Sequence, residues 1–191
     1  FGALKERVAC AATIVKQLNI RPGEHNVALM MENGPEWQEI YLALAGSGVA
    51  VVPLDPKLRA QEVCHILKDS EAVAIFAGAK LGQLFESIIA NLPQLHAFIW
   101  VGDAPEIPCA LQNKINMTYD AMLIKAAAMA DAARGWFDAH RPTAESIASI
   151  IYTSGTTGKP KGAMLTHGNF TSNVIQTMKC VSGFSKDDNF L

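Results

Sequence analysis

Residues 152–162 read Tyr-Thr-Ser-Gly-Thr-Thr-Gly-Lys-Pro-Lys-Gly, with three glycines, four hydroxyl side chains from Thr153 to Thr157, and two lysines in one short run. Glycine lets backbone N–H groups approach an anion closely. Successive inward N–H groups make a concave anion site. Hydroxyls add hydrogen bonds or ligate Mg²⁺, and lysine supplies a compact charge for phosphate. The chemistry of such a loop is the holding of a polyphosphate.

The spacing excludes a Walker A loop, which needs a glycine, four residues, then Gly-Lys-Ser/Thr. Five residues on from Gly155 stands Pro160, and five on from Gly158 stands Ala163. The flanks differ as well. Ile147–Tyr152 reads as a buried strand and Ala163–Thr166 as a second short strand before a helix, so the loop joins two strands, with Pro160 stiffening its exit.

The segment Tyr152–Phe170, YTSGTTGKPKGAMLTHGNF, resembles the phosphate-binding signature of the adenylate-forming superfamily, unbroken from Ser154 to Gly162. That superfamily includes acyl- and aryl-CoA synthetases, luciferase and peptide-synthetase adenylation domains. The resemblance implies that Thr153, Ser154, Gly155, Thr156, Thr157, Gly158 and Lys161 wrap the β/γ-phosphates of ATP, with Thr157 or Thr156 near Mg²⁺. Lys159 falls on a variable position and reads as a solvated charge. His167 and Asn169 open the next helix, where polar side chains cap free N–H groups, and His167 reads as structural at least as readily as catalytic.

The elements that must position this loop follow from periodicity. Leu4, Val8, Ala11, Val15 and Leu18 repeat at helical spacing. Strands are expected at Val27–Met31, Val49–Val52, Ala72–Phe76 and Ala97–Val101. Helices are expected after Pro35, over Ala60–Lys68 and over Leu81–Ala90. Alternating strands and helices predict an α/β fold, a parallel sheet covered by helices on both faces. The stripes of Met, Trp and Phe are core in this reading. Residues 102–118 lose periodicity and read as an exposed excursion, Tyr119–Ala133 as an alanine-rich helix, and Gly135–Thr143 as a connector.

A weaker resemblance runs along most of the chain: Val27–Asn33, Val51–Pro56 and Ile66–Glu71 are similar to the opening of AMP-forming acyl-CoA synthetases. The end, Lys186–Leu191, is most similar to bacterial long-chain fatty-acid synthetases. Asp55, between Leu54 and Pro56, reads as a turn residue rather than a catalytic acid. The resemblance implies the layered α/β fold of the N-terminal AMP-binding domain, present in part over 1–191. Residues 1–101 form the alternating unit, 102–143 the excursion and connector, and 144–191 the strand, loop, strand and helix. The adenine and ribose contacts, the hinge and the C-terminal domain with its catalytic lysine have no match here, and no catalytic residue is assigned within the chain.

The implied reaction activates a carboxylic acid, a long-chain fatty acid first among the candidates, to acyl-adenylate and then acyl-CoA. ATP, Mg²⁺ and coenzyme A take part, and AMP and pyrophosphate leave. An aryl-CoA synthetase, a luciferase-like oxygenase, a peptide-synthetase adenylation domain and a non-catalytic nucleotide-binding module stay open as alternatives. The formal charge of −2 without a long basic run speaks against nucleic acid. Cys10, Cys64, Cys109 and Cys180 are scattered and read as free buried thiols of a reducing cytosol. The longest charge-free apolar stretch, Ile40–Leu54, is too short to span a bilayer. Cytoplasmic residence is expected, with peripheral membrane contact and a homodimer left open.

Overall fold

The computed structural model describes residues 2–103, 106–127, 135, 139–153 and 159–180. In chain order the main elements are α1 (Gly2–Gln17), β1 (Asn26–Met30), α2 (Pro35–Gly46), β2 (Ala50–Pro53), α3 (Ala60–Asp69), β3 (Ala72–Gly78) and α4 (Gly82–Ile88). Then follow β4 (Ala97–Val101), β5 (Ile115–Thr118), α5 (Tyr119–Ala127), β6 (Ile147–Thr153), β7 (Lys161–Thr166) and α6 (His167–Cys180). One seven-stranded sheet runs in the order β5-β4-β3-β1-β2-β6-β7. Its first six strands are parallel, and β7 closes the far edge antiparallel to β6.

Strands buried on both faces need long apolar runs, and β3, with β1 from Val27 onward, supplies them. The pleat sends Val27 and Leu29 to one core and Ala28 and Met30 to the other. On the first face Ile14, Val15, Leu44 and Met122, from α1, α2 and α5, pack against Val51, Phe76 and Ile99. On the second, Val63, Leu67, Phe85 and Ile88, from α3 and α4, meet Val52, Ile75, Phe98 and Trp100. Pro35 sets the first turn of α2, and Gly48, at φ +74°, reverses the chain after it. Glu39, buried at the base of the first layer, is satisfied by the Arg7 guanidinium and by the Tyr119 hydroxyl, 3.3 Å away. Burial, with Glu39 alongside, pushes the Tyr119 phenol well above its usual range.

Three local expectations need correction. Residues 102–118 are not simply an excursion: a 3-10 turn at Cys109–Leu111 buries Leu111 completely, and β5 adds a parallel strand outside β4. The expected helix over Leu81–Ala90 is a shorter α4 flanked by 3-10 turns at Ala79–Leu81 and Ile89–Asn91. The cysteines are free but not buried, Cys10 and Cys64 being half-buried and Cys109 and Cys180 exposed. The alanine-rich helix is present over Tyr119–Ala127, and residues 128–133 lie outside the described residues. Asp55 is the turn residue expected, its Oδ1 accepting the Lys57 N–H at 2.8 Å. Among the described residues no helix is long and apolar enough to cross a membrane.

Candidate nucleotide-phosphate site

β6 and β7 form a hairpin whose register sets Thr153 opposite Lys161 and Tyr152 opposite Gly162. Thr153 ends β6 at the carboxyl edge of the parallel strands, the edge where open α/β sheets bind their ligands. Of the candidate ligands, the structure therefore brings Thr153 and Lys161 together, both exposed at the mouth of the loop. Ser154, Gly155, Thr156, Thr157 and Gly158 lie outside the described residues. Lys159 is exposed, as a solvated charge should be.

Ser149, buried in β6, anchors the hairpin by donating its hydroxyl to the Val51 carbonyl at 2.9 Å. Two further ties come from α3. Tyr152 donates its hydroxyl to Asp69 Oδ2 at 2.6 Å, and burial, reinforced by that acceptor, raises its pKa well above the usual phenol range. His65 Nε2 donates to the Pro160 carbonyl at 3.1 Å, a direction fixed because a carbonyl can only accept. Sequence reading passed over His65, Asp69 and Ser149. A polar pair four residues apart on a helix whose other side carries Val63, Ile66 and Leu67 was the one available signal.

The N-terminus of α6 is already satisfied by protein. His167 N–H donates to the Ser146 carbonyl at 3.0 Å and Gly168 N–H to the Ala144 carbonyl at 2.8 Å. Asn169 N–H donates to Thr166 Oγ1 at 3.2 Å, and the Thr166 N–H donates to Asn169 Oδ1 at 2.9 Å. These donors are spent, so this helix end does not offer itself to a phosphate as a Walker helix does. Asn169 has the capping role expected of it. His167 faces an apolar cleft of about 590 Å³ between α1, α2 and α6, walled also by Leu4, Val8, Tyr41 and Phe170. Its Nε2 is buried without a hydrogen-bond partner among the described residues. Desolvation lowers its pKa below 6.5, against a hydrogen bond to the Ala45 backbone that raises it.

A glycine- and hydroxyl-rich segment thus joins β6 to β7 at the carboxyl edge of the sheet, with Lys161 at its exit and without Walker spacing. Residues 1–191 match the family of AMP-binding enzymes. The chain belongs to the AMP-binding enzyme family. Among curated AMP-binding relatives it is 28% identical over 169 residues to the 4-hydroxybenzoate–CoA/benzoate–CoA ligase of Rhodopseudomonas palustris, covering 88% of this chain and 28% of that one. It is 33% identical over 154 residues to the peroxisomal long chain acyl-CoA synthetase 7 of Arabidopsis thaliana, covering 78% of this chain and 21% of that one. The chain thus spans less than a third of the length of either relative. The crystal structure of a long-chain-fatty-acid-CoA ligase from Archaeoglobus fulgidus superposes with a TM-score of 0.67 at 25% identity, over 91% of this chain and 31% of that one. The fold is that of the N-terminal domain of adenylate-forming enzymes.

Proposed function

We propose that the chain is the N-terminal part of the AMP-binding domain of an acid–CoA ligase, and that its loop holds the β/γ-phosphates of ATP. What carries the reading is the hairpin, which sets Thr153 and Lys161 face to face around a loop of matching glycines and hydroxyls. In the first half-reaction a carboxylate oxygen attacks the α-phosphorus, and the bond to the bridging oxygen breaks, releasing pyrophosphate. In the second, a thiol displaces AMP from the acyl carbon. The loop hydroxyls and N–H groups would hold the pyrophosphate unit in line, and Lys161 would offset the charge that collects on it. Hydroxyl oxygen donors suit Mg²⁺, and Thr157 or Thr156 would hold the ion that accompanies ATP and supplies Lewis acidity to the phosphate oxygens. Proton transfer is not required of any residue described here.

A long-chain fatty acid is the first substrate candidate, supported by the likeness to the Arabidopsis enzyme and the Archaeoglobus structure. An aryl acid is the second, favoured by the larger share of the chain that the benzoate–CoA ligase matches. Hydroxylamine-trapped adenylate formation over fatty, aryl and amino acids tests both, using the 191-residue chain beside protein from the uninterrupted reading frame. Activity strongest with long fatty acids supports the first reading, and activity confined to benzoates the second. Silence with every acid overturns ligase function and leaves a nucleotide-binding module. Lys161 is exposed, so Lys161→Ala should melt like the parent while losing about 10²-fold in pyrophosphate exchange. Unchanged exchange would remove its phosphate role.

A further inference from the structure

We propose that His65 and Asp69 are positioning residues of the phosphate loop, with α3 acting as a clamp on both limbs of the hairpin. The proposal rests on the loop being the Mg·ATP site. His65 and Asp69 stand one helical turn apart on α3, about 6 Å along its axis. One takes hold of the entering strand and the other of the exit: Asp69 accepts from Tyr152, and His65 donates to Pro160. Each tie lands one residue away from a candidate ligand, Tyr152 preceding Thr153 and Pro160 preceding Lys161. Because Thr153 and Lys161 are cross-strand partners, fixing those two neighbours fixes the width and tilt of the loop mouth.

Gly162 completes the arrangement. The Tyr152 ring lies across it, and a Cβ there would sit 2.9 Å from Tyr152 Cζ and 2.8 Å from Ile150 Cγ2. Only a bare α-carbon lets that ring cross the hairpin and reach Asp69. Pro160 has no N–H, so its carbonyl is the group on offer, and His65 answers it with a donor. The hydrogen bonds are partly open to water and contribute little to global stability. Their leverage lies in placement, since an ångström of misalignment at a reacting phosphate is costly in rate.

The test measures pyrophosphate exchange in protein from the uninterrupted reading frame, varying Mg·ATP and acid separately. His65→Ala and Asp69→Ala are each expected to raise KM for Mg·ATP about tenfold with KM for the acid unchanged. His65→Gln, whose amide can donate to the same carbonyl, should return to within about twofold of the parent. Tyr152→Phe should match Asp69→Ala, and the double variant should be no worse than either, as for two ends of one bond. Parental KM for Mg·ATP in both alanine variants overturns the clamp, as do equal rises for both substrates that follow loss of thermal stability. Additive effects in the Tyr152/Asp69 cycle overturn it too. A parent protein that neither exchanges pyrophosphate nor binds Mg·ATP overturns the nucleotide reading itself, an outcome visible before any variant is made.

Discussion

Gly162 shows what one hydrogen atom in place of a methyl can hold open. The Tyr152 ring and the Ile150 side chain occupy the space a Cβ would need, so Gly162→Ala must displace one of them. Overpacking of this kind costs about 1–3 kcal/mol, which urea unfolding would read as a lower midpoint at unchanged slope. A midpoint equal to the parent's would contradict the close packing of Tyr152 and Ile150 over Gly162. His167 makes a different prediction at the same scale. Its folded pKa lies below 6.5, so the unfolded chain binds the proton more readily. The stability it contributes is present above that value and is lost as pH falls through the folded value. His25 acts in the same direction, first through burial and then through Arg21. The melting midpoint should therefore drop from about pH 7.5 to about pH 5.5, and drop less in His167→Gln. Parallel curves for the two proteins would contradict this account of the half-buried ring.

β5 is the element that periodicity missed, and Asn116 is the reason. A polar residue in the middle of four breaks the apolar pattern, yet its side chain is fully used. Oδ1 accepts the Trp100 indole N–H at 3.1 Å, while Nδ2 donates to the carbonyls of Leu111 at 2.8 Å and Lys114 at 3.0 Å. One amide thus fastens the 3-10 turn and the edge strand to β4. Asn116→Leu leaves the indole and two carbonyls without it and should cost about 2–3 kcal/mol, with Trp100 fluorescence reporting the altered surroundings during denaturant unfolding. A loss below about 0.5 kcal/mol would show that water replaces the amide freely. β1 to β4 were legible because burial on both faces demands long apolar runs, and their observed ends differ from expectation by only a residue or two. The loop was legible through residue types and spacing. The contribution of α3 was not, since Tyr152 and Asp69 are 83 positions apart and His65 and Pro160 are 95 apart, and no local pattern encodes which of them meet.

At the scale of the molecule the helical cover is uneven along the sheet. Helices cover β1 to β4 on both faces, but β7 and α6 present Met164, Val174, Ile175 and Met178 to solvent, with Met164 66% and Met178 61% exposed. An apolar helix face beside an edge strand is adhesive. Sedimentation velocity on the 191-residue chain should show concentration-dependent association, reduced by Val174→Glu with Met178→Lys, which sit one turn apart. A monomer at every concentration would contradict this. The hairpin, meanwhile, reaches the core only through β6, chiefly Ile150, and is otherwise held at the sheet edge by β2 and α3. Its amides should consequently be among the first to exchange with deuterium, and those of β3 and β4 among the last. A nucleotide bound there would deposit its free energy in the least protected end of the molecule. Exchange would slow in β6, β7 and α3 and barely change in β3 and β4, so a global melting curve would understate an occupancy that a peptide-resolved exchange map would reveal.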